Sequence, residues 1–387
     1  MINYVTSVTS TSALRTRQLQ PLFHYEDKKL PRGSSWAAGE LATFRVVVNA
    51  TNTRVLPYLK ESTAPCDDLF LDPAIEQLLQ PTPDLAGTTD INLVSKYGGP
   101  LGQFWAALAE LVPDRGAYTE AGKKRDGHVP SSPPDQPASK RNRITVEHAD
   151  MVDSTQIRVG SSSPVQASSQ VSSRDDAFVP ENHDHDPLVR EANTERLLTC
   201  FVRYILYSIP YSDWELENRL DCRTHLAAKV TMTGGWIIQA EDDGGLRLRR
   251  RMASDGGGDN GPHVYYIPSQ LGDCYHVMFE TKKAFQINDG QPTISDNWLG
   301  QMTAEALVGR LARSSVNSKS HVLIIAAALH FICFLDFNIT DRYLEDIQQE
   351  TPTLTLPVGY TSWLDLNDHT ERKYAAENIA RLIRLSE

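Results

Sequence analysis

The stretch YHVMFETKKA, Tyr275 to Ala284, carries apolar residues straight into Glu280, Thr281 and Lys282. Residues two apart in an extended chain share a face, so Glu280 and Lys282 project together. Both faces are apolar before them, which predicts a central strand covered on both sides. A carboxylate and an ammonium at the end of such a strand are costly unless paired or liganded. One solution is a structural ion pair at the sheet edge. The other is catalytic: Glu280 ligates a hard divalent cation through oxygen while Lys282 positions or activates a water.

The surrounding elements read as a mixed sheet with helices packed on it. Asp186 and Pro187 can cap and open a helix whose Leu188, Ala192, Leu198, Val202 and Leu206 share one face, with Glu195 on that stripe. Short apolar or β-branched runs follow: GGWIIQA, LRLRRRM after a turn-like EDDGG, HVYYIPS, and the E-x-K segment. Then come a helical pattern in NWLGQMTAEALVGRLARS and a long run, Val322 to Phe337, able to hold two strands around a turn near Leu329-His330. The last element is a helix, HTERKYAAENIARLIRLS.

Strand, E-x-K, loop, helix, strand resembles the PD-(D/E)xK, or restriction-endonuclease-like, nuclease superfamily, and the long run after the helix is similar to the strand pair of fungal members. The resemblance covers roughly residues 186–346. It implies a mixed α/β (α+β) restriction-endonuclease-like core, a central mixed sheet flanked by helices. It also implies Mg²⁺ or Mn²⁺ as cofactor and nucleic acid as partner. Glu280 and Lys282 would be catalytic, with Gln301 supporting them from the next helix and Glu195 directed at the metal from the first. Where the family has an Asp after Pro, this chain reads Pro262-His263. Asp259, Asp273 or His263 would then complete the cation shell. An imidazole suits Zn²⁺ or Fe better than Mg²⁺, so an inactive nuclease-fold module that binds nucleic acid or protein is the alternative.

Arg247, Arg249 and Arg251 fall on one side of their strand, where a row of guanidinium groups could track phosphates; a charged, solvated edge strand is the plainer reading. The formal net charge of -11 argues against non-specific coating of nucleic acid but leaves room for a local basic groove. The linker runs Lys123-Lys124-Arg125 and Lys140 to Arg143 resemble a two-part nuclear import signal. NHDHD at 182–186 has no partner ligands nearby, and the glycines of DGGGDNG lack P-loop or dinucleotide context.

Length and composition set the organisation. Of the 387 residues, 1–35 read as a flexible tail and 36–113 as a small accessory subdomain, with Asp72 and Pro73 opening one helix and GPLGQFWAALAELVP forming another. Residues 114–185, rich in Ser, Pro, Asp and Lys, cannot bury enough apolar area to offset ordering and read as a disordered linker. Residues 186–387 form the nuclease-like domain. Five cysteines without a CxxC pair read as reduced thiols of an intracellular protein, nuclear or cytoplasmic. The run at 322–337 is shorter than the roughly 20 residues of a membrane span and reads as core.

Overall fold

The computed structural model describes residues 3–17, 22, 28–112, 187–209, 218–253, 264–267, 277–282, 285–288, 290–312 and 320–385. Asp259, His263 and Asp273, the NHDHD segment and the linker 114–185 with its basic runs lie outside them.

The amino-terminal part holds α1 (Tyr4–Ser7), α2 (Thr11–Arg15), α3 (Ala38–Thr43), β1 (Val46–Ala50), α4 (Pro57–Ser62), α5 (Pro73–Leu78), α6 (Asp90–Tyr97) and α7 (Gly99–Ala109). Then come α8 (Pro187–Ser208), β2 (Asn218–Thr231), β3 (Ile237–Ala253), β4 (Val264–Ile267), β5 (Val277–Thr281), β6 (Gln286–Asn288) and β7 (Gln291–Thr293). The chain closes with α9 (Asp296–Ala312), β8 (His321–Ala328), β9 (Phe331–Asn338), α10 (Asp341–Asp346), β10 (Leu356–Tyr360), β11 (Leu364–Asp365) and α11 (His369–Leu385). Among the described residues, one mixed sheet has the order β1-β10-β9-β8-β5-β3-β2, with β11 on β9 and β4 on β3. The expected mixed α/β architecture with flanking helices is therefore present. No helix among the described residues is long and apolar enough to cross a membrane.

Local chemistry explains several boundaries. Asp72 accepts hydrogen bonds from the Ala74 and Ile75 amides, with Pro73 at the first helical position of α5. The apolar run at 322–337 splits at Leu329, whose positive φ of 52° makes the tight turn between β8 and β9. Two apolar layers result. One gathers α9 with Trp36, Leu41 and Phe44; the other gathers α7, α8 and α11. On the first, an added Cβ at Gly300 would meet the Trp36 carbonyl oxygen at 2.6 Å, so glycine lets α9 lie directly on that segment.

The expected tail and accessory subdomain need correction, since both are built into the main body. Tyr4 is fully buried and its hydroxyl donates to the Val46 carbonyl at 2.8 Å. Strand β1 pairs in parallel with β10, so residues 36–113 complete the carboxy-terminal sheet. Two further expectations change. EDDGG lies inside β3, the turn falling at 232–236 instead, and the arginine run belongs to an interior strand flanked by β2 on one side and by β4 and β5 on the other.

Arg372 on α11 locks the amino-terminal helices to the carboxy-terminal part. It is fully buried and donates to the carbonyls of Leu78, Gln80 and Leu366 and to Thr82 Oγ1. Arg372→Ala is expected to cost about 3 kcal/mol or more, because each orphaned buried acceptor costs about 1–3 kcal/mol. A fall in the urea midpoint at unchanged slope would verify this.

Candidate functional site

The site forms where β5 ends. All five β5 residues are buried, and Glu280 is 0% exposed. The Lys282 amide donates to the Ala327 carbonyl at 3.0 Å, extending the β5/β8 ladder past Glu280 and fixing where the lysine side chain departs. Lys282 Nζ lies 2.6 Å from Glu280 Oε1 and donates to Gln301 Oε1 at 2.7 Å. Glu280 is thus held by the Lys282 ammonium and by the Glu305 side chain. Helix α9 crosses from β5 to β8, which run parallel, and presents Gln301 and then Glu305 one turn later. Glu305 is 2% exposed, and its carboxyl meets that of Glu280.

The acid facing Glu280 across the sheet is Asp243. Strand β3 pairs antiparallel with β5, Gly244 opposite Phe279, which brings Asp243 level with Glu280. Asp243 Oδ2 accepts from the Thr281 amide at 2.7 Å and the Thr281 hydroxyl at 2.8 Å. The partner residues expected from the sequence, Asp259, Asp273 or His263, lie outside the described residues. The strand containing HVYYIPS, β4, pairs with β3; the described neighbours of β5 are β3 and β8. The signal in the sequence is EDDGG directly before LRLRRRM, three acids inside a strand whose glycines read as a turn.

The electrostatics follow from crowding. Burial pushes the Glu280 carboxyl up to about 8, Lys282 pulls it down, and Asp243 adds to the rise. Burial, with Glu280 next, holds Glu305 well above the ordinary range. Glu195 on α8 is raised by its own burial and then by Asp243, with His225 opposing, so it too belongs to the acidic cluster. Burial works against the Lys282 ammonium, but Glu280 and Asp243 outweigh it and keep the group above its ordinary value. Asp242 is raised to about 6 by burial even though Arg223 is paired with it.

Glu280, Lys282 and Gln301 thus come together, with Glu195 close enough to Asp243 to feel its charge. No protein-family model and no curated protein matches the chain. Arg247 is paired with Asp221 across the hairpin at 3.3 Å, and both side chains are 25% exposed, so it is tied to its own sheet rather than presented to phosphates. Arg249 and Arg251 follow on β3, their side chains outside the described set.

The donor set at the strand end is all carboxylate oxygen, which suits Mg²⁺ or Mn²⁺ over softer ions. Among the described residues no three His, Cys, Asp or Glu side chains are grouped so as to hold an ion. Mg²⁺ commonly takes one or two carboxylates and fills the remaining positions with water and phosphate oxygen, so Asp243 and Glu280, level with each other on adjacent strands, fit it by donor type.

Without metal, the raised carboxyls set a pH dependence. Between the ordinary Glu value of 4.5 and about 8, the native chain keeps protons that the unfolded chain has lost. Their stabilisation is complete below that window and is lost as pH rises through it. Denaturant melts in chelator should therefore show stability falling from pH 5 to 8, and Glu305→Gln, which removes one buried carboxyl, should flatten the slope and stabilise the chain at pH 8. A wild-type slope of opposite sign would refute the assignment.

Proposed function

We propose that this chain is a metal-dependent nuclease-like protein acting on phosphodiester bonds of DNA or RNA, with a core of the restriction-endonuclease type. The observation that carries the reading is the meeting of Asp243, Glu280, Lys282 and Gln301 at one strand end, with Asp243 as the acid opposite Glu280. Asp243 and Glu280 would hold Mg²⁺ or Mn²⁺, with Glu195 facing the same charge from α8. The bound ion supplies Lewis acidity and a bound water of lowered pKa. Lys282 contributes the ammonium that orients the attacking water and meets developing negative charge on the phosphoryl oxygens. Gln301 holds that ammonium at 2.7 Å, limiting the directions it can take. Scattered thiols without a close-spaced pair support an intracellular setting, nucleus or cytoplasm.

One observation favours a second reading, a catalytically inactive nuclease-fold module that binds nucleic acid or protein. Glu280 is wholly buried and already neutralised by Lys282 at 2.6 Å, as a purely structural ion pair would be.

Single- and double-stranded DNA and RNA, incubated with the full chain and Mg²⁺ or Mn²⁺, decide between them. Nuclease chemistry predicts cleavage that falls at least about 100-fold in Glu280→Ala and in Asp243→Asn. Equal cleavage by wild type and both variants would assign the activity to a contaminant and leave the binding module.

A further inference from the structure

The β2/β3 ladder contains one interruption, and it falls at the site. Register runs from Asn218 opposite Arg250 to Thr224 opposite Gly244, then resumes with Leu226 opposite Asp242, passing over His225 and Asp243. At the interruption Asp242 Oδ1 accepts the Leu226 amide at 3.2 Å, so a side chain does there what a backbone carbonyl does elsewhere in a ladder. The Arg223 guanidinium grips the same carboxylate with both ends of its fork: Nη1 to Oδ1 and Nη2 to Oδ2, each at 2.6 Å. Nη1 also donates to the Thr224 carbonyl at 3.1 Å, on the edge of the interruption.

The clasp is buried, with Arg223 5% and Asp242 1% exposed by side chain. It needs glycine beneath it. An added Cβ at Gly245, opposite Arg223, would meet the Val277 carbonyl oxygen at 2.2 Å and Arg223 Nη2 at 2.9 Å. Asp243, released from β2, instead accepts from the Thr281 amide and hydroxyl on β5. A buried ion pair is a weak source of net stability, and its best-attested use is to fix register.

We propose that Arg223 and Asp242 are positioning residues that turn Asp243 out of the β2/β3 ladder and hold it beside Glu280 for cation binding. The inference rests on the metal-dependent reading above and extends it to two residues that touch neither cation nor substrate. Lysine at 223 keeps the charge but cannot form the fork. Asparagine at 242 keeps the acceptor for Leu226 but loses the charged, two-pronged grip.

The test is calorimetric titration of Mn²⁺ into the full chain, with a thermal melt of each variant. Arg223→Lys is expected to weaken Mn²⁺ binding at least about tenfold, in the range seen when groups supporting metal ligands are removed. Asp242→Asn should weaken it similarly, and carries the test if Arg223→Lys does not fold. Asp221→Asn, which breaks the neighbouring Asp221–Arg247 pair on the same hairpin, should bind as wild type does. Wild-type affinity in both clasp variants, or equal weakening in Asp221→Asn, would overturn the positioning role while leaving the nuclease reading intact. A wild-type chain that takes up no Mn²⁺ would remove the nuclease reading and this inference with it.

Discussion

Glu280 is a carboxylate with no exposure to water, held against one ammonium and surrounded by further acids. Removing two charges from water costs several kcal/mol per ion, and mutual attraction recovers that only when geometry and hydrogen bonding are good. Here Lys282 holds Glu280 from one side and the Glu305 carboxyl meets it from the other, so two buried carboxyls share a single cation. Lys282 is the cation paired directly with Glu280, and burial and mutual repulsion make Glu280, Glu305 and Glu195 hold their protons above the ordinary carboxyl range. In the proposed reading, a divalent cation between Asp243 and Glu280 would take the place of those protons.

The architecture serves that point from several directions. Parallel pairing of β5 with β8 requires a crossover, and α9 provides it, which is why Gln301 and Glu305 pass over the end of β5. Strand β3 delivers Asp243 from the other flank, and α8 brings Glu195 from the second apolar layer. The amino-terminal residues contribute at a distance. By adding β1 beside β10 and packing Tyr4 and Trp36 into the first layer, they back the sheet and the helix that carry the site.

Much of this was legible in the residues because it depends on local patterns. Alternation identified β5 and the shared face of Glu280 and Lys282, the apolar run at 322–337 resolved into two strands at its Leu329-His330 turn, and Gln301 followed from helical position. What escaped depends on pairing between distant segments. Glycines in EDDGG gave a turn signal, yet Gly245 is there because a guanidinium and a carbonyl press on it within a strand. Strand β2 carries exposed Thr224, His225 and Lys229 beside half-buried Leu226, Ala228 and Val230, a weak alternation that its apolar content did not announce. Val46 to Val48 looked like a local strand, but nothing nearby in the chain shows that its partner begins at Leu356.

The central claim is that Asp243 and Glu280 form one cation site. A crystal soaked in Mn²⁺ and examined for anomalous scattering tests it most directly. The account predicts a peak ligated by both carboxylates, with Lys282 displaced from its 2.6 Å contact with Glu280. An unchanged Lys282–Glu280 pair with no peak between the two acids would contradict it.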